Sequence, residues 1–456
     1  MDTQAVRSGD LTWAQRDWFF WVPLGAPAAF EANQNPRIPG FGAGRAHVVA
    51  AVRDLLLRHE GLRTLVTREG GALRQHVLPV DGARLAEAVV VTDEEPGGPV
   101  TAAAVRTAFD LGTRWPVLFV LYVEGERVRR VGIVLDHSAV DAWGMRVLCG
   151  DLATAIRARA RGREPVWRAE VEQSLDAARW EGSAAGERYR VRAEERWART
   201  LTGLRESLGD HGPRDRGAVA LSVRPYHSCR LASGRLAAAA TDLARTAGSS
   251  VSAAYLHAFG ATICEVERSP AAGVFAFVLN RPSAGAMASV RKTIMHTPVV
   301  VPSVDAAPYG KAVAATAARQ FDGHRFANLD PHVSERLCAH HLGRHHRTGT
   351  AFARFNFIDD SVVGPVANSR SLDAEEIPFQ DPASHGRVTF GEPRMDGSEY
   401  LLTVQHGAAG ALMTLAWRED TGWGPYAEGM LRHIERLMVW GASGAAERLP
   451  QLDAVR

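Results

Sequence analysis

Lysine is nearly absent from this 456-residue chain: of 53 basic residues only Lys292 and Lys311 are lysine, a skew toward arginine from which no function follows. Charge of one sign is also lacking, because 51 acidic residues bring the formal charge to +2, too balanced for a protein that works by neutralising phosphate backbones. The four cysteines, Cys149, Cys229, Cys264 and Cys338, are far apart and form no C-x-x-C pair, which excludes a zinc knuckle and a disulfide framework and fits a reducing compartment. Long hydrophobic runs are missing too. The densest, Val117 to Val123, is strand-sized, and the opening MDTQAVRSGD lacks the basic-then-apolar pattern of a signal peptide. A soluble, cytoplasmic protein without a nucleic-acid or membrane partner is expected. There is no internal repeat, no low-complexity segment, no Walker lysine, no G-x-S-x-G and no Ser-His-Asp set, so NTPase and serine hydrolase chemistry have no support.

What is present is the composition of a globular protein, 46% hydrophobic and 23% charged. The spacing of Trp13, Phe20 and Trp21 predicts a helix capped by Thr12 and stopped by Pro23, with its aromatic face in the core rather than on a membrane. HVVAAVRDLLLRHEGLRTL predicts an amphipathic helix ended by Gly61. PVLFVLYVEG and RVRRVGIVLDH read as two strands of a hairpin turning at Glu124-Gly125-Glu126, followed by a helix from about Ala142. A charged helix from Glu181 to Leu208 and the breaker-rich GDHGPRDRG then divide the chain. Beyond them strand-like VALSVR, GVFAFVLN, HTPVVVPS, AFARFNFIDD and EYLLTVQHG, with the helix VSAAYLHAFGATICEVE, indicate a second mixed α/β unit.

The most informative segment is His137-Ser138-Ala139-Val140-Asp141-Ala142-Trp143-Gly144, where an apolar strand runs into a loop. An imidazole there can take a proton from an amine, alcohol or thiol near neutral pH. An Asp four residues on can orient the loop or the ring. A second cluster, Cys338 to His346, spaces His341 and His345 as i, i+4 on a helix, but no third ligand is identifiable and a polar surface segment is the expectation, with no metal. Gly40 to Gly44 follows no clear strand and reads as a plain loop.

Asp136-His137-Ser138-Ala139-Val140-Asp141-Ala142 resembles the His-His-x-x-x-Asp-Gly motif of nonribosomal peptide synthetase condensation domains and the chloramphenicol acetyltransferase superfamily. Phe109-Asp110-Leu111 is similar to the family's Phe-Asp-Leu, Leu11-Thr12 with Ala14-Gln15 to its opening helix, and Arg58-His59-Glu60-Gly61-Leu62-Arg63 to its Arg-His-Glu-x-Leu-Arg. Asn280-Arg281-Pro282 matches an Arg-containing strand end, His296-Thr297-Pro298 an Asn-Thr-x-Pro segment, and Leu415-Ala416-Trp417 with Asp420 the last strand and acidic turn. These matches keep their order over about 430 residues. Two positions depart: Asp136 stands for the first motif His and Ala142 for the motif Gly.

The resemblance implies an α/β (α+β) fold of two chloramphenicol-acetyltransferase-like lobes in a V-shaped pseudo-dimer with a central tunnel, residues 1–180 carrying the motif and 181–456 forming the C-terminal lobe. It implies a free-standing condensation-type acyltransferase. Such an enzyme joins a carrier-protein-bound acyl or aminoacyl thioester to a small-molecule amine or hydroxyl acceptor, as amide or ester, in natural-product assembly. His137 is the implied catalytic group. Asp141 is implied to be structural, paired with Arg281 from the second lobe, and Asp136, Ala142, Trp143 and Gly144 line the tunnel. No cofactor is expected to be bound; the phosphopantetheine thioester arrives on a peptidyl or acyl carrier protein. Two alternatives stay open: a coenzyme-A-dependent acyltransferase, and a silent domain that binds a carrier protein or recruits a partner enzyme, which Asp136 and Ala142 favour.

Overall fold

A computed structural model describes residues 6–26, 29–211, 226–303, 308–343, 352–363, 386–391, 400–418, 422–444 and 450–451. Helices and strands are mixed along it, and the chain divides into two compact units. The first comprises Met1–Glu187 together with Leu279–Ile294 and Val363–Glu375; the second comprises the remaining segments. The segment around Arg281, expected on sequence in the second lobe, therefore clusters with the first unit.

In the first unit, strands β1 (Arg7–Asp10), β3 (Thr64–Glu69) and β4 (Ala72–Val77) form an antiparallel sheet in the order β1-β4-β3. Strands β2 (Arg37–Pro39), β5 (Val89–Thr92), β6 (Val117–Glu124) and β7 (Arg127–Leu135) form a second, ordered β2-β7-β6-β5. The β6–β7 hairpin turns at Gly125, whose φ of 57° lies in the left-handed region that favours glycine. Six consecutive residues of β6, Val117 to Tyr122, are buried, which explains a continuous apolar run in place of alternation. Helix Trp13–Trp21 is closed by a capping box between Thr12 and Gln15 and buries Trp13, Phe19 and Phe20.

Helix Arg45–Arg58 packs Val48, Val52, Leu55 and Leu56 inward and pairs with helix Ala142–Arg159, which presents Met145, Leu148, Leu152 and Ile156 at three- and four-residue spacing. The first of these helices ends at Arg58, not at Gly61. Gly61 sits in a 3₁₀ turn, where a β-carbon would come 2.9 Å from the Val290 carbonyl oxygen, so its role is close backbone approach rather than a left-handed cap.

The second unit is built on a seven-stranded mixed sheet ordered β10-β9-β11-β13-β14-β8-β12. Its strands are β8 (Tyr226–Ser233), β9 (Ala271–Leu279), β10 (Ile294–Pro302), β11 (Phe352–Asp359), β12 (Arg387–Phe390), β13 (Leu401–Gly407) and β14 (Gly410–Arg418). Helices Gly234–Thr246, Val251–Glu267 and Ala427–Ser443 share one core with it, containing Leu236, Tyr255, Phe259, Phe355, Leu402 and Ile434. Segment VALSVR lies outside the described residues. All four cysteines are buried and none forms a disulfide. Among the described residues no helix is long and apolar enough to cross a membrane.

Candidate active site

Strand β7 ends at Leu135, and the next six residues turn the chain into helix Ala142–Arg159. The turn is set by Asp136: its carboxylate accepts the Ser138 N–H at 2.8 Å, and its carbonyl accepts the Ala139 N–H at 3.1 Å. Asp136 is buried, and desolvation outweighs those bonds and raises its pKa above the ordinary carboxylate value.

Asp141 caps the following helix, its Oδ1 accepting the Gly144 N–H at 2.8 Å. The same oxygen accepts from Arg281 Nη2 at 2.7 Å, while Oδ2 accepts both the N–H and the hydroxyl of Thr293 at 2.8 Å. Burial alone would push this carboxyl up, but Arg281, Gly144 and Thr293 together hold it below the ordinary value. Arg281 is anchored in turn, donating to the Ala286 and Ser289 carbonyls through Nη1 and to the Arg291 carbonyl through Nη2. Asp141 and Arg281 are thus brought together as a buried structural pair within the first unit.

This framework aims His137. Its Nδ1 lies 2.7 Å from the Val140 carbonyl oxygen; a carbonyl only accepts, so Nδ1 is the donor of this bond, which leaves Nε2 as the nitrogen that can exchange a proton. The half-buried imidazole rests against the indole of Trp18, ring centres 4.9 Å apart, which fixes its plane from helix Trp13–Trp21. Lys292 lies against the same indole, Nζ 5.7 Å from the ring centre.

Among the other motif positions, Gly144 is buried where a β-carbon would meet Val140, Arg281 and Arg291 at 3.1 to 3.3 Å, and Ala142 is half-buried. Trp143 is half-buried and donates its indole N–H to the Met287 carbonyl at 2.7 Å. Away from the motif, His59 and Arg58 both hold Asp151, at 2.9 and 2.8 Å, so that motif segment pins helix Arg45–Arg58 to helix Ala142–Arg159. His341 contacts the Thr202 hydroxyl; His345 and His346 lie outside the described residues. No cluster of three potential metal ligands occurs among the described residues.

Sequence reasoning missed Trp18, Thr293 and Lys292. Trp18 falls in a helix readable from its cap, but nothing local indicates that its ring meets a residue 119 positions later. Lys292 carried one signal, its rarity beside 51 other basic residues that are arginine.

No family model matches the chain. A probable non-canonical nonribosomal peptide synthetase of Salinispora arenicola is 32% identical over 242 residues, 52% of this chain and 3% of that protein. A dimodular nonribosomal peptide synthase of Bacillus subtilis is 32% identical over 177 residues, 39% of this chain and 7% of that protein. The chain thus matches only a small part of these curated relatives. Among solved structures, the condensation domain of the enacyloxin polyketide synthase, described for chain release, superposes with a TM-score of 0.71 at 17% identity, over 100% of this chain and 86% of that one. The chain is similar in sequence to parts of nonribosomal peptide synthetases and in fold to condensation domains. Its fold is the mixed α/β, chloramphenicol-acetyltransferase-like fold of condensation domains. The first condensation domain of the calcium-dependent antibiotic synthetase superposes on the chain with a TM-score of 0.67 at 15% identity, covering 99% of each chain. The X-domain from teicoplanin biosynthesis gives 0.67 at 19%, covering 97% of each.

Proposed function

We propose that this protein transfers an acyl or aminoacyl group from a phosphopantetheine thioester to an amine or hydroxyl acceptor. The observation that carries this reading is the contact between His137 Nδ1 and the Val140 carbonyl oxygen. With Nδ1–H committed to Val140, Nε2 is the atom able to take a proton from the acceptor as its nitrogen or oxygen attacks the thioester carbon. The tetrahedral intermediate then collapses, the C–S bond breaks, and the proton held on Nε2 passes to the departing thiolate. An amide or ester and a free thiol result. Asp141 and Arg281 do not touch the reacting atoms in this scheme; they hold the loop that carries His137.

A carrier-protein-bound donor is the reading that the nonribosomal peptide synthetase relatives support, with acyl-coenzyme A the rival. The experiment offers each thioester to the purified protein with a panel of amines and alcohols and follows product by mass. His137→Ala is expected to lower turnover about 10²- to 10⁴-fold; turnover near that of the parent overturns the His-centred scheme.

A second reading, a silent domain that recruits another protein, is favoured by one observation: a buried acid, Asp136, occupies the place of the first motif His. The teicoplanin X-domain is itself known in complex with OxyB. Absence of product with both donors, together with capture of a carrier protein or tailoring enzyme, supports this reading.

A further inference from the structure

Lys292 is the part of this site that the proposed transfer leaves unused. Its side chain is only 4% exposed and is carried by the segment Leu279–Ile294, which belongs to the same unit as His137. An ammonium has three N–H donors. Among the described residues one of them is met, by the Ile294 carbonyl oxygen at 3.2 Å, and no carboxylate lies within ion-pairing distance. Asp17 and Asp141 act on it only through space, and both oxygens of Asp141 are already taken by Arg281, Gly144 and Thr293. Burial holds the pKa of Lys292 below the ordinary lysine value against the pull of these two acids. A buried cation without a contacting anion is costly, and it is tolerated most readily where an anion arrives during function. The Trp18 ring lies within 6 Å of both the ammonium nitrogen and the centre of the imidazole, so the cation and the imidazole share one indole as neighbour.

We propose that Lys292 is an anion-binding residue of the His137 site, and that the acceptor it recognises carries a free carboxylate, as an untethered amino acid or hydroxy acid does. The acceptor assignment rests on the acyl-transfer reading above. An acceptor held on a carrier as a thioester has lost its carboxylate and offers Lys292 nothing to pair with. A free one forms a charge-assisted hydrogen bond to Nζ, and that anchor presents its amine or hydroxyl to Nε2 of His137.

The scarcity of lysine makes the test direct. Labelling the full-length chain with [13C-ε]lysine gives two side-chain signals, Lys292 and the exposed Lys311, assigned with Lys292→Arg and Lys311→Arg. The probes are acetate and the common free L-amino acids and 2-hydroxy acids, each paired with its neutral primary amide. At least one carboxylate is expected to shift the Lys292 signal saturably while its amide does not, with Lys311 unmoved. A Lys292 signal indifferent to every carboxylate overturns the proposal; the readout is made on the parent protein, and substitution of the exposed Lys311 alone suffices for the assignment. In transfer assays Lys292→Met is expected to raise KM for the carboxylate acceptor roughly 30-fold or more, with kcat less affected. Two results separate the readings. Equal transfer to carboxylate and amide acceptors removes the role of Lys292 and leaves acyl transfer standing; a saturable carboxylate response without transfer from any donor leaves the anion site and removes acyl transfer.

Discussion

The pair Asp141–Arg281 shows how much a single buried carboxylate can hold in place. Four donors converge on it from a helix N-terminus and from residues 281 and 293, so removing it strands a guanidinium in the interior. Asp141→Ala is expected to cost about 3–5 kcal/mol, read from denaturant unfolding, whereas Thr293→Val, which keeps the backbone N–H, is expected to cost about 1 kcal/mol. Equal losses would show that the hydroxyl and not the ion pair dominates. Asp136 behaves in the opposite sense. Its folded pKa is raised, so the folded state is penalised as pH climbs above the ordinary aspartate value of about 4 and the penalty is absent below it. Asp136→Asn keeps the acceptor for Ser138; it should raise Tm at neutral pH and leave Tm unchanged below about pH 4, a comparison that two thermal scans decide. His137, Asp141 and Arg281 were legible in the sequence because a short motif and a strand end mark them. Trp18 and Lys292 were not, since their meeting depends on three segments that only tertiary structure brings together.

At the level of elements, boundaries set by backbone chemistry read well and those set by packing did not. Thr12 and Gln15 announce the first helix through their capping box, and Gly125 announces the β6–β7 hairpin through its positive φ. Gly61 looks like a helix stop in sequence, yet its missing β-carbon answers a carbonyl from residue 290, a demand invisible at short range. Gly260 is the analogous case in the second unit. A β-carbon there would stand 2.5 to 2.7 Å from three atoms of Val301, so helix Val251–Glu267 lies directly on β10 at that point. Gly260→Ala gains helix propensity but overfills the contact, and the expected net loss is about 1–3 kcal/mol; a variant at least as stable as the parent would mean that the helix can lift without cost.

For the whole molecule, the two-unit division does not follow the order of the chain. Residues Leu279–Ile294 leave the second unit, supply Arg281, Thr293 and Lys292 to the neighbourhood of His137, and return as β10. These polar anchors of the His137 loop are therefore synthesised more than a hundred residues after the motif they complete, so the loop cannot reach its final form until they exist.

The buried cysteines gain a meaning from the chemistry proposed here. Thioesters pass readily to any accessible thiolate, so a protein that handles them risks acylating itself. All four of its own thiols are buried, and desolvation pushes Cys149 up to about 12, Cys229 up to about 12, and Cys338 upward as well. Iodoacetamide should modify none of the four in the native protein at pH 8 and all of them after denaturation, as intact mass would report. One fast-labelling native cysteine would contradict this. Under the proposed acyl transfer, the same burial would give the molecule chemical immunity to its substrate, because an activated acyl group would meet no accessible cysteine able to divert it from the acceptor.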